Sequence, residues 1–430
     1  MKNALSIDGM LKTVRSVFSN VSSSAGNSAM PIADCLMSGL AIFSLKYPSL
    51  LQYDRERDLI KKNLKNLFAV EQLPSDTYVR ERLDEVAPNE LRRCFTRLFG
   101  AVQRSKKLEA YQGIEGSYFV SLDATGFFSS KTIHCDECCE KHHRDGTVTY
   151  YHQMLQAALV HPELKQVLPF APEPISKQDG AKKNDCERNA AKRLIADMRR
   201  EHPHLDITIL ADGLYSNEPF LALLKQHGMR YIINAKPGDH QWLFDYVQNS
   251  HLEEHKHLDS QGFRHEFRFI NDVPLNETHE QRRVNFIEYK EVSPKGKEKV
   301  FTWITDFKVS KLNVYRLMRG GRSRWRIENE TFNTLKNQGY QFEHNFGHGY
   351  KHLSHVFAHL MLLAFAIDQI QQMACKAFQK ALKRHHGRLS YFWEKLRPVF
   401  FCFVIKSWDS LYQGMADILP DDRPVFNDSS

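Results

Sequence analysis

The chain has 430 residues, 42% of them hydrophobic and 26% charged, with a formal net charge of +8 at pH 7. That length exceeds one ordinary domain, and that apolar content excludes a disordered or fibrous chain. The modest positive charge permits a nucleic-acid partner without requiring one.

The opening MKNALSIDGMLKTVRS lacks the apolar core of a signal peptide. Residues 1–115 read as helical. In DRERDLIKKNLKNLF (54–68) the apolar residues Leu59, Ile60, Leu64, Leu67 and Phe68 share one face. Pro74 then breaks the chain, Ser75 or Asp76 can cap, and a second basic helix follows with Arg80 and Arg82 facing outward. Helix, turn and basic helix fit either a DNA-binding helix-turn-helix or two packed helices with solvated charges.

The character changes at 117. SYFVSLDATGFF (117–128), VTYYHQMLQAALV (148–160) and KQVLPFAPEPI (165–175) read as three strands. A helix at 184–203, capped by Asn184 or Asp185, leads to the buried strand DITILADGLY (206–215), then the helix EPFLALLKQHG (218–228) and the strand YIINAKPGD (231–239). Three meandering strands followed by alternating helix and strand is a ribonuclease-H-like α/β order. HEFRFINDV, VNFIEYKEV and KVFTWITDF, within 250–308, read as a β-rich insertion. From about 311 to 412 the chain is helical again, and the tail LPDDRPVFNDSS reads as disordered. The apolar run at 355–367 is too short to span a membrane and carries two His, so it reads as a buried helix.

Asp123 lies within the first predicted strand and Asp212 at the end of the fourth. Sites in α/β sheets form at strand carboxyl ends, so the two meet there if those strands are neighbours. Glu328, in RWRIENETFNTLK (324–336), shares a helix face with Arg324 and Phe332 and supplies a third carboxylate. Two Asp and one Glu suit Mg²⁺ (or Mn²⁺), a hard ion that keeps water and substrate phosphate among its ligands. Two such ions about 4 Å apart can drive phosphodiester chemistry. The plainer alternative is turn-forming Asp residues and a solvated Arg324–Glu328 pair. Glu330, two residues on, points about 200° away on a regular helix and is a rival to Glu328.

Three runs, LDATGFFSSKTIHC (122–135), ILADGLYSNEPF (209–220) and WRIENETFNTLKNQGYQFEHNFGHG (325–349), together resemble the bacterial DDE transposases of the family-four insertion-sequence group. The resemblance spans roughly 115–365. The Arg-x3-Glu of that group's Tyr-x2-Arg-x3-Glu-x6-Lys helix matches Arg324 and Glu328. Gly321 stands where the group has Tyr, and Leu335 where it has Lys, with Lys336 one residue beyond. The resemblance implies Asp123, Asp212 and Glu328 as catalytic metal ligands. It implies Arg324 and Lys336 as holders of DNA-end phosphates, and Trp303 as a base-stacking aromatic, although Trp303 also fits a sheet core. It further implies cleavage at terminal inverted repeats and strand transfer into target DNA by a homodimer or higher oligomer. Two alternatives stand beside it: a nuclease of this fold without strand transfer, which would show the same three carboxylates, and an inactive zinc-bearing DNA-binding regulator, against which the intact Asp123, Asp212 and Glu328 set argues.

The eight Cys do not form a secreted disulfide framework. Cys35, Cys94, Cys375 and Cys402 stand singly among apolar or helical residues, as in a reduced cytosolic protein. IHCDECCEKHHRDG (133–146) differs. Cys135-x2-Cys138 followed by His142 and His143 fits a structural Zn²⁺ chelate, with Cys186, His134 and Cys139 as weaker donors; a polar hairpin with incidental thiols is the alternative. KAFQKALKRHHGR (376–388) reads as an amphipathic basic helix, for phosphate or for solvent.

The expected organisation is a helical, DNA-end-binding region at 1–115 and a core at 116–250 with the Cys/His loop at 133–146. A β-rich insertion at 251–310, the Glu helix at 311–345 and a helical region at 346–430 follow. The expected location is cytoplasmic, at the nucleoid when DNA-bound, with no membrane partner.

Overall fold

The computed structural model describes residues 4–22, 30–177 and 186–417. The expected caps Asn184 and Asp185 and the tail 419–430 lie outside them. Five helices come first: α1 (Ile7–Phe18), α2 (Ile32–Ser44), α3 (Leu50–Phe68), α4 (Asp76–Asp84) and α5 (Arg92–Arg104). Strands β1 (Tyr118–Ser130), β2 (Cys139–His142), β3 (Val148–Leu159), β4 (Leu168–Pro169) and β5 (Glu173–Ile175) follow. Next come α6 (Glu187–Glu201), β6 (Ile207–Ala211), α7 (Glu218–Gln226), β7 (Arg230–Asn234) and α8 (Gln241–Gln248). The insertion supplies β8 (Glu253–Leu258), β9 (Arg264–Pro274), β10 (Arg283–Val292) and β11 (Glu298–Thr305). The chain closes with α9 (Val314–Arg322), a π-helical turn (Ile327–Phe332), α10 (Asn333–Asn337), α11 (Leu353–Ala374), α12 (Lys376–Arg384), α13 (Leu389–Cys402) and α14 (Trp408–Asp417).

Among the described residues the strands form one sheet in the order β2-β3-β1-β6-β7-β11-β10-β9-β8, with β4 and β5 also on β3. β3 is antiparallel to β1, whereas β6 and β7 run parallel to it. The fully buried runs of β6 and β7 (Ile207, Ile209, Leu210, Ile232, Ile233) are what a central parallel pair requires. The insertion is not set apart from this sheet. Its last strand, β11, pairs antiparallel with β7 through Trp303, Ile304 and Thr305, so the sheet runs on without a break.

The helices of the two ends pack together around α11. That helix is long and apolar enough to cross a membrane, but its side chains are buried in the protein. The wholly buried α2 lies against it. Lys46, just after α2, is buried and pairs with Asp368 of α11 at 2.7 Å, beneath Tyr340 and Trp393. Arg92 ties α5 to the core through Glu201 (2.8 Å), Asp197 (3.3 Å) and Glu173 (3.5 Å).

The second helix of the suggested helix-turn-helix is bound into this packing. Arg82, expected outward, is buried. Asp84 accepts backbone N–H bonds from Tyr350, Lys351, His352 and Leu353 at 2.9–3.0 Å, capping α11 from a neighbouring helix. Arg80 is exposed and paired with Asp76. The basic helix expected at 376–388 is α12. It buries Phe378 and Ala381 while Lys380 pairs with Asp417 at the surface.

Candidate active site: a carboxylate cluster at adjacent strand ends

β1 and β6 pair in parallel from Tyr118–Ile207 to Ser121–Leu210, an offset of 89 residues (210 − 121). The same offset separates Asp123 from Asp212. Continuing the register by two residues therefore brings the two residues to neighbouring strand ends, where backbones lie roughly 4.8 Å apart, and the charge of Asp212 acts on Asp123. Asp212 has left the strand; its Oδ1 accepts the Leu214 N–H at 3.0 Å and caps the short turn Gly213–Tyr215.

The third carboxylate arrives on the helix after the insertion. α9 lies close against the sheet because it presents Gly320 and Gly321. A Cβ on Gly320 would come within 2.7 Å of the Phe119 ring, and one on Gly321 within 2.7 Å of the Trp303 indole nitrogen. No Tyr side chain fits at 321. The indole of Trp303 fills that space, buried and stacked on Phe301 and near Tyr289. Trp303 is thus a core residue, as its sheet-core reading has it, and not an exposed base-stacking aromatic; its position in β11, under the glycine pair, closes it off. The exposed aromatic nearby is Trp325, at 55%.

After α9 the chain turns, and Ser121 Oγ donates to the Arg324 carbonyl at 3.0 Å, fastening the turn to β1. Arg324 reaches Glu328 at 2.8 Å and Asp123 at 3.8 Å, so one guanidinium spans both. The helix here is π-helical rather than the regular α-helix expected, a local widening often found at functional sites. Glu330 goes the other way, to Arg326 at 3.1 Å, and Arg326 also donates to the Pro162 carbonyl. Lys336 pairs with Glu343 at 2.7 Å, while Leu335 is fully buried.

Burial pushes the Asp123 carboxyl up to about 7. Arg324 opposes the rise, and the charges of Glu328, Glu187 and Asp212 add to it. Glu187, the first residue of α6, escaped the sequence reading because it follows no motif. It accepts the Tyr215 hydroxyl at 2.7 Å, and its own carboxyl is raised by burial. Beside Asp212 lies a groove of about 560 Å³ whose walls include Arg188, Lys236, His240 and Trp242. A half-buried cluster of carboxylates with a single bridging guanidinium is a donor set for a hard divalent cation. Its acid groups repel one another until such a cation, or protons, neutralise them.

The expected Cys/His site is only partly as read. His142 and His143 lie in and just after β2; His142 pairs with Glu140 at the surface, and His143 bonds Thr149. A strand sends adjacent side chains to opposite faces, so the two rings do not share one centre. Cys186 is exposed at the start of α6, His134 stacks on Tyr150, and Cys139 bonds the Ile175 carbonyl. Cys135 and Cys138 converge instead with His152 of β3 and His348, which follows α10. His152 reads in sequence as one more residue of a buried strand, and His348 is more than two hundred residues away. The one local signal was His348 between two glycines.

The sequence profile of the transposase DDE domain matches residues 130–368, more than half the chain. The match includes Asp212 and Glu328 and begins seven residues (130 − 123) after Asp123. No curated protein matches the chain. A solved structure similar to it is a piggyBac transposase synaptic complex with hairpin DNA, at 10% identity and a TM-score of 0.42. That alignment covers 99% of this chain and 86% of the other, a similarity too weak to fix even the fold.

Proposed function

The chain belongs to the transposase DDE domain family, and from that premise we propose that it is a DNA transposase of the insertion-sequence type. In this reading it cuts at terminal inverted repeats and joins the freed end to target DNA. The observations that support the reading are the register of β1 on β6, which ends two residues short of Asp123 and Asp212 at the same offset, and Arg324, which links Asp123 to Glu328. The strand order β3-β1-β6-β7, with only β3 antiparallel, supports a ribonuclease-H-like core.

Asp123, Asp212 and Glu328 would hold Mg²⁺ or Mn²⁺ through carboxylate oxygens. The bound cation would activate an attacking oxygen and stabilise the leaving one. The chain's own groups do the rest. Arg324 keeps two carboxylates from repelling each other and is a fork that can take a phosphate when the cation displaces it. Asp123, raised to about 7 mainly by burial, is only partly ionised at neutral pH and must give up its remaining proton to hold the cation. Arg188 and Lys236 offer positive charge beside Asp212 for the DNA backbone. Trp325, exposed one turn before Glu328, offers a face for an unpaired base. Lys336 contributes only if DNA draws it from Glu343. Activity on paired ends calls for an oligomer, and the helical regions 1–115 and 346–430 are the surfaces proposed to hold DNA ends and partner copies.

The test is incubation of the full-length protein with Mg²⁺, a linear DNA bearing the element's inverted repeats and a supercoiled target plasmid. Joined products are expected. Cleavage without joining would instead indicate a nuclease of the same fold, and binding without either reaction an inactive regulator.

A further inference from the structure

We propose that Cys135, Cys138, His152 and His348 form a tetrahedral Zn²⁺ site that clamps the β1–β2 connection and β3 to the segment following the Glu328 helix. It is separate from the carboxylate cluster and would bind a softer ion.

The four donor atoms lie within 4.8 Å of one another, and all four residues are 9% exposed or less. The Cys135 and Cys138 sulfurs are 3.8 Å apart. His152 Nε2 is 3.5 Å from the first and 3.4 Å from the second, and His348 Nε2 is 3.4 Å from Cys138. Zinc bonds of about 2.3 Å to sulfur and about 2.0 Å to nitrogen give tetrahedral edges of roughly 3.8 Å for S–S and roughly 3.5 Å for S–N. The observed edges match both values. A disulfide needs its sulfurs at about 2.05 Å, so the same distance argues against that bond.

Each donor is brought in by its own device. The Cys138 N–H bonds the Cys135 carbonyl at 3.2 Å, a tight turn that directs both sulfurs inward. His152 lies on β3 opposite Phe128 of β1. His348 stands between Gly347 and Gly349, whose φ values are +149° and +71°. A Cβ on Gly349 would meet the Asp84 carboxylate at 2.3 Å, so only glycine lets this turn close. The imidazoles are held by packing: His152 stacks on Phe127, and His348 lies 4.2 Å from Phe128, centroid to centroid. Neither Nδ1 has a hydrogen-bond partner among the described residues, which leaves both free to carry the ring proton while Nε2 faces the centre. Glu137, between the two cysteines, reaches His352 at the start of α11 at 3.0 Å and braces the loop from outside.

The ligands therefore join the β1–β2 connection, β3 and the chain 20 residues beyond Glu328 (348 − 328). Loss of zinc would free the segment that follows the catalytic helix.

The experiment uses full-length protein purified under reducing conditions. Zinc is measured by mass spectrometry, and the protein is then exchanged with Co²⁺. We expect about one zinc per chain, and a cobalt protein with thiolate charge-transfer absorption and the intense visible bands of a tetrahedral site. The carboxylate cluster holds no sulfur, so these bands report the Cys/His site alone. Cys138→Ser and His348→Ala should lose the metal, whereas a His142→Ala/His143→Ala variant and Asp123→Asn should keep it. A protein without zinc that gives no thiolate bands with Co²⁺ would overturn the proposal, with no variant needed. So would zinc lost from the His142/His143 variant but kept by Cys138→Ser, or a Cys135–Cys138 disulfide in the freshly reduced protein.

Discussion

The carboxylate cluster and the cysteine–histidine cluster both adjoin β1, the first along it and at the neighbouring end of β6, the second on the connection that leaves it and on β3, yet they are built in opposite ways. Glu328 is nearly half exposed and Asp123 a quarter exposed, and burial, with the neighbouring acid groups adding to it, raises Asp123 to about 7. The sulfurs and imidazoles of the second cluster are shut inside the fold among Phe127, Phe128 and α11. An open site whose like charge is only partly offset by Arg324 suits ions and phosphates that come and go. A closed site of soft donors suits an ion that stays. The contrast teaches that activity and stability should separate: damage to the first should cost rate, and damage to the second should cost the fold.

The largest expected effect is on rate. Asp123→Asn and Asp212→Asn should each slow single-turnover cleavage of repeat-end DNA by about 10²- to 10³-fold or more, with zinc content preserved and no loss of melting temperature. A variant that cleaves normally would break the comparison on the catalytic side. Next, Cys138→Ser or chelation of the zinc should lower the melting temperature by at least about 5 °C, because metal binding at a buried site is folding free energy. Excess Mg²⁺ should not restore it. If it does, the two sites are not distinct. Trp325→Ala should weaken binding of DNA with unpaired bases by roughly 1–3 kcal/mol in a fluorescence titration and leave duplex affinity nearly unchanged. Trp303→Phe should show no such selectivity, because its indole faces the core.

The smallest effect concerns pH. The folded Asp123 binds its proton more tightly than an unfolded aspartate, which titrates near about 4. Without divalent metal the folded protein therefore loses stability as pH rises from about 4 through about 7, the value to which Asp123 is raised. Asp123→Asn removes that penalty. Its melting temperature relative to the parent should climb across this window, and Mg²⁺ should shrink the gap. A gap that is flat with pH would mean that the carboxylate is not buried among its neighbours as described.

Some of this was legible in the chain. Asp123 and Asp212 announce themselves because each follows a run of strand-forming residues, and sites gather at strand ends. Glu328 is marked by its place four residues after Arg324. The rest depended on packing. His152 sits where any apolar residue would satisfy the strand pattern, and only folding brings His348 beside it. Arg82 carries the same charge as Arg80, but the packing of α2, α4 and α11 buries one and exposes the other. The insertion reads in sequence as strands with polar turns, and only folding shows that β11 takes the edge of β7. The π-helical turn has no sequence period of its own, so the regular helix was the natural expectation.

The most direct test sets two neighbouring glutamates against each other. Glu328→Gln and Glu330→Gln are compared in single-turnover cleavage of inverted-repeat DNA with Mg²⁺, alongside the unmodified protein. Glu328 faces Asp123 through Arg324, and Glu330 faces away to Arg326. The account predicts that Glu328→Gln abolishes cleavage while Glu330→Gln stays within a few-fold of the parent. Normal cleavage by Glu328→Gln, or its loss only in Glu330→Gln, would contradict it.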